Sequence, residues 1–229
     1  MKNHPPKLSI IIVNWNAKKF LKICLESIKK EMHHSHEIIV VDNNSEDGSQ
    51  QMVKRYFPQV ILVANKKNLG FSRANNQALA IAQGEYVLFL NPDTKIEDQA
   101  IERSINFIDK NPKIGLVGVR LIAENGETQL SSGRRLPSIW GEFVGFFLRN
   151  PFPQTRIFGS YLMSWWDHKD RRGVEAICGA YMLARKKTMA KLKGLDEEYF
   201  MYGEDVDLCA RVKKMGLKVY FLGDISITH

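Results

Sequence analysis

Acidic side chains stand at three places where the sequence predicts the end of a strand or the start of a helix. Asp42 and Asp93 each follow a short apolar run. Glu204 and Asp205 begin a segment with helical spacing. A carboxylate in such a position is most often a turn or cap residue, and that interpretation stays open for each of them. Two carboxylates at the ends of parallel strands nevertheless face one crevice, where α/β proteins bind ligands, so the pattern indicates a binding site.

The two aspartates suit different parts of a ligand. Asp93 lies on a turn, residues 91–94, where Pro92 ends an apolar run because proline cannot donate to a ladder. A carboxylate held on such a turn suits a hard cation such as Mg²⁺ or Mn²⁺, which takes few protein ligands and completes its shell with substrate phosphate. Asp42 instead suits a hydrogen bond to a nucleobase or ribose, as acidic residues at strand ends do in dinucleotide folds.

Two common nucleotide-binding motifs are absent from the sequence. The first predicted strand is followed by Asn14-Trp15-Asn16-Ala17 where a dinucleotide-binding fold would have G-x-G-x-x-G. The P-loop pattern G-x-x-x-x-G-K-[ST] occurs nowhere in the chain. The sequence therefore disfavours both a Rossmann dehydrogenase and a P-loop NTPase.

The composition is that of a globular protein with an anionic partner. The chain has 229 residues, 44% hydrophobic and 25% charged, with a formal charge of +8. Such a charge favours nucleic acid, an acidic membrane surface or a phosphorylated small molecule without choosing among them. Three scattered cysteines without a C-x-x-C pair argue against a disulfide framework or a zinc site, and favour a reducing compartment. No apolar run is long enough to span a membrane, and the start does not resemble a signal peptide.

Apolar periodicity in the first half predicts alternating strands and helices. The predicted strands are residues 8–13, 37–41, 60–64 and 86–90, and the predicted helices are residues 18–32, 48–57, 72–83 and 97–110. This alternation is typical of a parallel sheet covered by helices on both faces, that is, an α/β fold.

The second half departs from that rhythm. Strands at residues 114–123 and 128–131 flank Asn125-Gly126, which predicts a hairpin and an antiparallel section of the sheet. Residues 132–175 fit neither period and are rich in arginine and aromatic side chains. This stretch would suit the core of an inserted helical pair, or a surface for a glycan or a lipid-linked diphosphate acceptor. Within it, residues 143–148 next to Arg149 would suit interfacial membrane contact. The remaining predicted elements are a strand at residues 175–185, a helix at 204–215 and a strand at 217–222.

Several motifs, in chain order, carry a family resemblance. They are LSIIIVNWN at residues 8–16, VVDNNSEDGS at 40–49, NLGF at 68–71 with Asn75 and Asn76, LNPD at 90–93, CGAYML at 178–183, GLDE at 194–197 and FMYGEDVDLCAR at 200–211. Together they resemble glycosyltransferase family 2, and most of all its bacterial rhamnosyltransferase-like branch. The resemblance extends over nearly the whole chain.

The resemblance implies a fold and an activity. The fold is GT-A, a mostly parallel central sheet flanked by helices with an antiparallel section. One domain, residues 1–229, would comprise a nucleotide-binding half at about 7–112 and an acceptor and catalytic half at about 113–229, and relatives usually continue beyond that end. The activity is inverting transfer of a sugar from a nucleoside-diphosphate sugar, such as dTDP-rhamnose or a UDP-sugar, to a glycan or lipid-linked acceptor in cell-surface polysaccharide synthesis.

The resemblance also implies site residues. Those near the donor nucleotide and sugar are Asn14, Asn16, Asp42, Asn68, Gly70, Asn76, Asn91, Gly179 and Ala180. A helix N-cap around Ser72 and tight packing at Gly179 are the structural alternatives for two of these groups. Asp93 occupies the last position of the family's DxD metal motif, whose first position is Asn91 here, and His229 would complete a site for Mg²⁺ or Mn²⁺.

The same resemblance places the catalytic base at Asp205, with Glu204 as the rival. Inverting transfer needs a carboxylate to take the proton of the acceptor hydroxyl as that oxygen attacks the anomeric carbon. At a helix N-terminus the macrodipole favours an ionised carboxylate. Both residues could instead merely complement that dipole.

Two other functions stay open. A sugar nucleotidyltransferase would need a glycine-rich basic loop after the first strand, and residues 14–19 lack glycine. A non-catalytic nucleotide- or nucleic-acid-binding module would use the positive charge, but three aligned carboxylate sites argue against it. We therefore expect a cytoplasmic enzyme, peripheral on the inner face of the membrane, that binds a nucleoside-diphosphate sugar and no nucleic acid.

Overall fold

Strands and helices alternate through the first half of the chain, as the apolar periodicity predicts. The structure is a computed structural model that describes residues 5–137, 155–156 and 159–229. The elements of the first half are β1 (Leu8–Asn14), α1 (Lys18–Glu31), β2 (His36–Asp42), α2 (Ser49–Tyr56), β3 (Ile61–Ala64), α3 (Phe71–Ile81), β4 (Tyr86–Leu90) and α4 (Ala100–Asp109).

The second half adds shorter elements and one long strand. They are β5 (Ile114–Ile122), a 3₁₀ helix (Leu130–Ser132), β6 (Gly133–Arg134), β7 (Arg171–Val174), β8 (Ala176–Ile177), β9 (Tyr181–Arg185), α5 (Lys186–Leu192), α6 (Glu204–Lys214) and β10 (Lys218–Thr228). The sequence predicted α6 closely but missed α5.

Both halves contribute to one eight-stranded sheet. Its strand order is β3-β2-β1-β4-β9-β5-β10-β7. Strands β1 to β4 pair in parallel, β9 runs antiparallel between β4 and β5, and β10 is parallel to β5 and antiparallel to β7. Strands β6 and β8 form a separate antiparallel pair. The predicted α/β class, mostly parallel with an antiparallel section, is confirmed.

Two buried layers enclose this sheet. In β1, Ile10 and Ile12 join the layer under α1, α2 and α4, whereas Ile11 and Val13 join the layer under α3, α5 and α6. Successive side chains of a strand point to opposite faces, so a strand covered on both faces must be apolar throughout. This is why the central strands read as unbroken apolar runs.

Three differences from the predicted elements affect the site. The predicted strand at 175–185 is broken into β8 and β9 by a turn at residues 178–180. The Asn125-Gly126 turn forms, with the Gly126 amide donating to the Ala123 carbonyl, but residues 128–131 lead into the 3₁₀ helix after a single bridge. Strand β10 continues to Thr228, which pairs with Lys95 and so places His229 beside the turn that follows β4.

Other predictions depend on parts of the chain that the structure leaves undescribed. The membrane contact predicted at residues 143–149 lies outside the described residues, and so does part of the helical pair or acceptor surface predicted within residues 132–175. Of the helices that are described, none has the length and apolar character needed to cross a membrane. Within the same ranges the three cysteines are free thiols, in agreement with the absence of a disulfide framework. The division near residue 112 stays a prediction.

Candidate active site

The ends of β1 and β2 are joined by a buried polar network. Asn14 lies opposite Asp42 in the parallel register and donates from Nδ2 to Oδ2 at 2.9 Å. The other oxygen, Oδ1, accepts hydrogen bonds from the Ser45 amide at 2.9 Å and from Gln50 Nε2 at 2.7 Å. Asp42 is almost completely buried. Its carboxylate therefore holds the two loops that follow these strands in one shape.

Asn16 strengthens the same network from the backbone. Its amide donates to Ser45 Oγ at 2.8 Å, and its side-chain oxygen accepts from the Glu46 amide at 2.8 Å. Because Asn14 and Asn16 are engaged on either side, Trp15 between them is left 58% exposed. Exposed aromatic rings at a polar site serve as stacking surfaces for nucleobases. Sequence reasoning passed over Trp15, although its place between two predicted donor-site residues was a usable signal.

Gly70 is needed for the close approach of two loops. Its φ is +84°, and a Cβ built there would lie 2.6 Å from the Phe200 carbonyl oxygen. That carbonyl accepts a hydrogen bond from the Phe71 amide at 2.7 Å, and Asn68 Oδ1 accepts one from the Gly70 amide at 2.9 Å. Helix α3 begins at Phe71 with Gly70 as its N-cap residue and without a side-chain cap, so the alternative of a helix N-cap around Ser72 is met at Gly70 and not at Ser72 itself.

Asn76 lies away from these loops. Its Nδ2 donates to the Leu195 carbonyl at 2.8 Å, and its Oδ1 accepts from the Leu195 amide at 2.9 Å. It lines a separate groove with Met189 of α5 and Gly194. The amide of Asn76 therefore holds the chain before α6 in place, and its predicted role in donor binding stays a prediction that this contact does not support.

The ends of β4 and β10 meet at a second corner. Lys95 and Thr228 exchange backbone hydrogen bonds of 2.9 and 3.2 Å, which places His229 beside Asp93. His229 Nε2 lies 3.5 Å from Asp93 Oδ1 and 3.4 Å from Asn91 Nδ2. The short turn after Pro92 and the long final strand are thus both required for this contact.

Gln129 orients the imidazole at this corner. His229 Nδ1 lies 3.0 Å from Gln129 Oε1, and Gln129 Nε2 donates to the His229 carbonyl at 2.7 Å. This contact leaves Nε2 directed at Asp93. Gln129 follows the Asn125-Gly126 turn, and nothing in the sequence connected it with the end of the chain.

Asp93 and His229 fit a divalent cation. An accessible carboxylate oxygen and an imidazole nitrogen converge there, and the Asn91 carboxamide adjoins both. In the described part of the chain, no cluster of three or more His, Cys, Asp and Glu is close enough to enclose a metal. A cation held here would therefore take few protein ligands and complete its shell with substrate oxygen or water, as Mg²⁺ and Mn²⁺ commonly do.

A buried ion pair forms the third corner. Asp205 is at the start of α6, and its Oδ2 accepts hydrogen bonds from Arg134 Nη2 at 2.8 Å and from the Gly179 amide at 3.1 Å. Oδ1 accepts from the Val206 amide at 2.7 Å. All three donors stabilise the negative charge of the carboxylate. The turn that breaks the predicted strand at 175–185 is what supplies the Gly179 amide.

Arg134 is the site residue that the sequence concealed among other arginines. Burial lowers the pKa of its guanidinium, but the adjacent Asp205 carboxylate outweighs burial and raises that pKa overall. Arg134 Nη1 also donates to the Ser131 carbonyl at 2.6 Å, which fixes the direction of the side chain. Arg134 therefore acts as a permanent cation that positions Asp205.

Glu204 is buried like Asp205 but differs from it in hydrogen bonding. It is buried, and its Oε2 has no hydrogen-bond partner among the described residues. Burial is the main cause that raises the pKa of Glu204, and the charge of Asp205 raises it further. The two carboxylates of α6 thus have opposite environments, an arrangement that often distinguishes catalytic roles.

The second and third corners open into one cleft of about 760 Å³. From the predicted set the cleft brings together Asn91, Asp93, Gly179, Ala180, Glu204, Asp205 and His229. The remaining donor-site predictions do not line this cleft: Asn14 and Asp42 end β1 and β2, Asn16 follows β1, and Asn68 and Gly70 precede α3. Phe71, the first residue of α3, does line it. Two acidic groups from α6 thus face a metal-compatible pair from β4 and β10.

Comparison with known protein families identifies two matching models. A model described as glycosyl transferase family 2 matches residues 9–166, more than half of the chain. A model described as the N-terminal domain of galactosyltransferase matches residues 156–228. The two matches together extend from β1 to the end of β10.

Curated relatives are similar over nearly the whole chain. An N-acetylglucosaminyl-diphospho-decaprenol L-rhamnosyltransferase of Mycobacterium tuberculosis is 26% identical over 97% of this chain and 75% of its own. The rhamnosyltransferase WbbL of Escherichia coli is 25% identical over 96% of this chain and 82% of its own.

Solved structures show the same fold. The mannosyltransferase PcManGT from Pyrobaculum calidifontis, in complex with GDP-Man and Mn²⁺, superposes with a TM-score of 0.68 at 17% identity, over 99% of this chain and 57% of its own. TarS of S. aureus in complex with UDP gives 0.67 at 20% identity, over 97% of this chain and 60% of its own. The chain thus spans about three fifths of these solved chains, and its fold is GT-A.

Proposed function

Because the chain belongs to glycosyltransferase family 2, we propose that it transfers a sugar from a nucleoside-diphosphate sugar to an acceptor hydroxyl, with inversion at the anomeric carbon. The observation that carries the proposal is the cleft itself, where Asp205 and Glu204 face Asp93 and His229. Such a cleft can hold a diphosphate at one end and a nucleophilic hydroxyl at the other. Both reacting groups then meet at fixed positions, which lowers the entropic part of the barrier.

The donor nucleotide would lie against the loops after β1 and β2. Trp15 offers an exposed ring for the base, and the buried network around Asp42 keeps that ring in place. The rhamnosyltransferase names of two relatives favour dTDP-rhamnose as donor. A UDP-sugar is the second candidate, since TarS was solved with UDP.

Asp93 and His229 would hold Mg²⁺ or Mn²⁺ at the diphosphate. When bound, such an ion neutralises the charge that develops on the leaving diphosphate. Gln129 keeps the imidazole of His229 directed at this position, and the carboxamide of Asn91 lies alongside. PcManGT, solved with GDP-Man and Mn²⁺, supports a divalent ion in this fold.

Asp205 would accept the proton of the acceptor hydroxyl. Arg134, the Gly179 amide and the start of α6 all stabilise its negative charge, which suits a carboxylate that serves as a base. Proton transfer to a positioned carboxylate contributes about 10²–10⁴-fold to such reactions. Glu204, with its raised pKa, is the second acidic group in reach of the same hydroxyl.

The acceptor would be a glycan or a lipid-linked sugar used in cell-surface polysaccharide synthesis. One relative is named for an N-acetylglucosaminyl-diphospho-decaprenol acceptor, which supports the lipid-linked form. Such an acceptor would place the reaction at the inner face of the membrane, with the protein bound peripherally.

Thermal unfolding in the presence of nucleotides tests this function. We expect one of dTDP-rhamnose, UDP-sugars or GDP-mannose to raise the melting temperature, and only with Mn²⁺ or Mg²⁺ present. Asp93→Asn should remove that metal-dependent rise. Asp98→Asn, an exposed aspartate on the chain leading to α4, is the matched control and should retain it.

Each outcome separates the parts of the proposal. A metal-dependent rise that survives in Asp93→Asn would contradict the metal site. Failure of every nucleotide to shift the melting temperature, with or without metal, would contradict the proposed function.

A further inference from the structure

Four consecutive large apolar side chains are exposed just before α6. In this aromatic loop, residues 199–202, the exposures are 39% for Tyr199, 59% for Phe200, 56% for Met201 and 79% for Tyr202. A contiguous exposed apolar surface on a folded protein usually marks a ligand groove or an interaction site. None of the assigned roles in donor or metal binding uses this surface.

The loop is held in a defined conformation. The Phe200 carbonyl accepts the Phe71 amide at 2.7 Å, and the Tyr199 amide donates to the Asp196 carbonyl at 3.3 Å. Tyr202 has a φ of +68°, followed by Gly203 at +94°. Left-handed backbone at a bulky residue is strained and recurs in ligand clamps. The exposed position of the Tyr202 ring is thus maintained by a strained backbone conformation.

The aromatic loop faces the cleft that contains the carboxylates. Tyr199, Met201 and Tyr202 line it together with Glu204 and Asp205. Because Tyr202 and the two acidic residues belong to one short segment, the distance between ring and base is set by local backbone geometry. Whatever rests on the ring lies next to the proton acceptor.

We propose that the aromatic loop is the acceptor-binding surface and that the ring of Tyr202 stacks against the apolar face of a pyranose ring in the acceptor. This inference rests on the proposed function, since the stacked sugar is the one whose hydroxyl reaches Asp205. The C–H groups on one face of a pyranose are complementary to the negative face of an aromatic ring. The tyrosine hydroxyl can add a hydrogen bond at the edge.

A sugar fits this position better than a lipid chain does. Arg134, Glu204 and Asp205 line the cleft beside the loop, and a hydrocarbon occupant would leave the buried Glu204 Oε2, which has no partner among the described residues, without a hydrogen-bond donor. Sugar hydroxyls can pair with all three. The occupant therefore needs an apolar face toward Tyr202 and hydroxyls toward α6.

Saturation-transfer NMR with methyl pyranosides tests the inference. The probes are methyl glucoside, galactoside, N-acetylglucosaminide and rhamnoside, each added with dTDP or UDP and the diamagnetic ion Mg²⁺, and octanol serves as an aliphatic probe. We expect contacts on one face of a pyranoside ring, with affinity about tenfold lower in Tyr202→Ala. Tyr202→Phe should retain most of it. Tyr56→Ala removes a 55% exposed tyrosine on α2, outside the cleft, and should not change it.

The results distinguish this inference from the function on which it rests. Nucleotide binding without pyranoside binding, or equal pyranoside binding by Tyr202→Ala, would overturn the role of the loop alone. Binding of octanol in place of pyranosides would assign the loop to a lipid chain and overturn it as well. Absence of nucleotide binding in the unmodified protein would contradict the proposed function itself.

Discussion

The start of α6 and the loops after β1 and β2 differ in how their carboxylates are paired. These loops, residues 15–17 and 43–48, are called the donor loops after their proposed role. At the donor loops, Asp42 is buried and both of its oxygens accept hydrogen bonds from nearby residues. At α6, Asp205 depends on Arg134 from a distant strand, and Glu204 Oε2 is buried without a partner among the described residues. The apolar residues differ in the same way, since the aromatic loop before α6 is largely exposed.

This difference separates residues that fix the shape of the protein from residues that are available to a ligand. Satisfied buried polar groups make a region rigid and specific. Unsatisfied ones cost free energy, so a folded protein retains them chiefly where they act on a ligand. The fully hydrogen-bonded Asp42 therefore gives the loops after β1 and β2 a fixed shape, although Asn14 Oδ1 beside it has no partner among the described residues. In the proposed mechanism, the start of α6 holds the groups that react. The predictions below test this division, from the largest expected effect to the smallest.

Asp205→Asn should have the largest effect. The amide cannot take a proton from the acceptor hydroxyl, so the rate of sugar transfer should fall by about 10²–10⁴-fold. Nucleotide binding, measured by thermal shift, should remain because Asp205 lies outside the donor loops. Asp207→Asn is the matched control, since that residue pairs with Arg211 on the same helix. Transfer that persists in Asp205→Asn would move the base to Glu204.

Arg134→Ala should come second. It leaves the Asp205 carboxylate buried without its cation, so the free energy of unfolding should fall by about 3 kcal/mol. The rate of sugar transfer should fall as well, because Asp205 loses the side chain that positions it. Arg134→Lys should restore part of both. Arg135→Ala changes the exposed neighbour and should alter neither; an unchanged transfer rate in Arg134→Ala would leave Arg134 a purely structural role.

The sequence revealed features that depend on local pattern. Apolar runs predicted the central strands because a strand buried on both faces must be apolar throughout. The turn at Pro92 and the acidic start of α6 were also predictable, because proline and charged first-turn residues mark the boundaries of strands and helices directly. Local pattern therefore predicts Asp93 and Asp205 as site residues, and the family resemblance predicts their roles.

Features that depend on distant pairing were hidden. Which arginine meets Asp205 is decided by the pairing of β6 with β8, which no local pattern shows. The contact of Gln129 with His229 likewise joins positions far apart in the chain. The contact of Asn76 with Leu195 was hidden too, because an asparagine on a helix beside predicted donor-site residues gives no sign of which distant residue its amide pairs with.

Asp42→Ala tests the rigid side of the comparison. It leaves the Asn14, Ser45 and Gln50 donors without their acceptor, and the free energy of unfolding should fall by about 2–4 kcal/mol. Urea denaturation measures this directly. Glu46→Ala, an exposed acidic residue of the same loop, should stay within about 0.5 kcal/mol. Unchanged stability with lost nucleotide binding would instead make Asp42 a direct ligand contact.

Glu204→Gln should have the smallest effect and the opposite sign. Burial raises the pKa of Glu204 above its ordinary value of 4.5, so ionising this group opposes folding. The wild-type protein therefore loses stability as the pH rises from 4.5 through the raised value, and the neutral glutamine should avoid that loss. We expect Glu204→Gln to be more stable than the wild-type protein at neutral pH, with the gain vanishing below the ordinary value.

Unfolding in urea at neutral and acidic pH measures the difference, and transfer assays on the same variant give it meaning. A more stable protein with slower transfer would show that the buried carboxylate is retained for the reaction at the expense of the fold. A variant that is less stable at neutral pH would mean that Glu204 has a partner in the folded protein and belongs with Asp42 to the residues that fix the shape of the protein. The contrast between the donor loops and α6 would then rest on Asp205 and the aromatic loop alone.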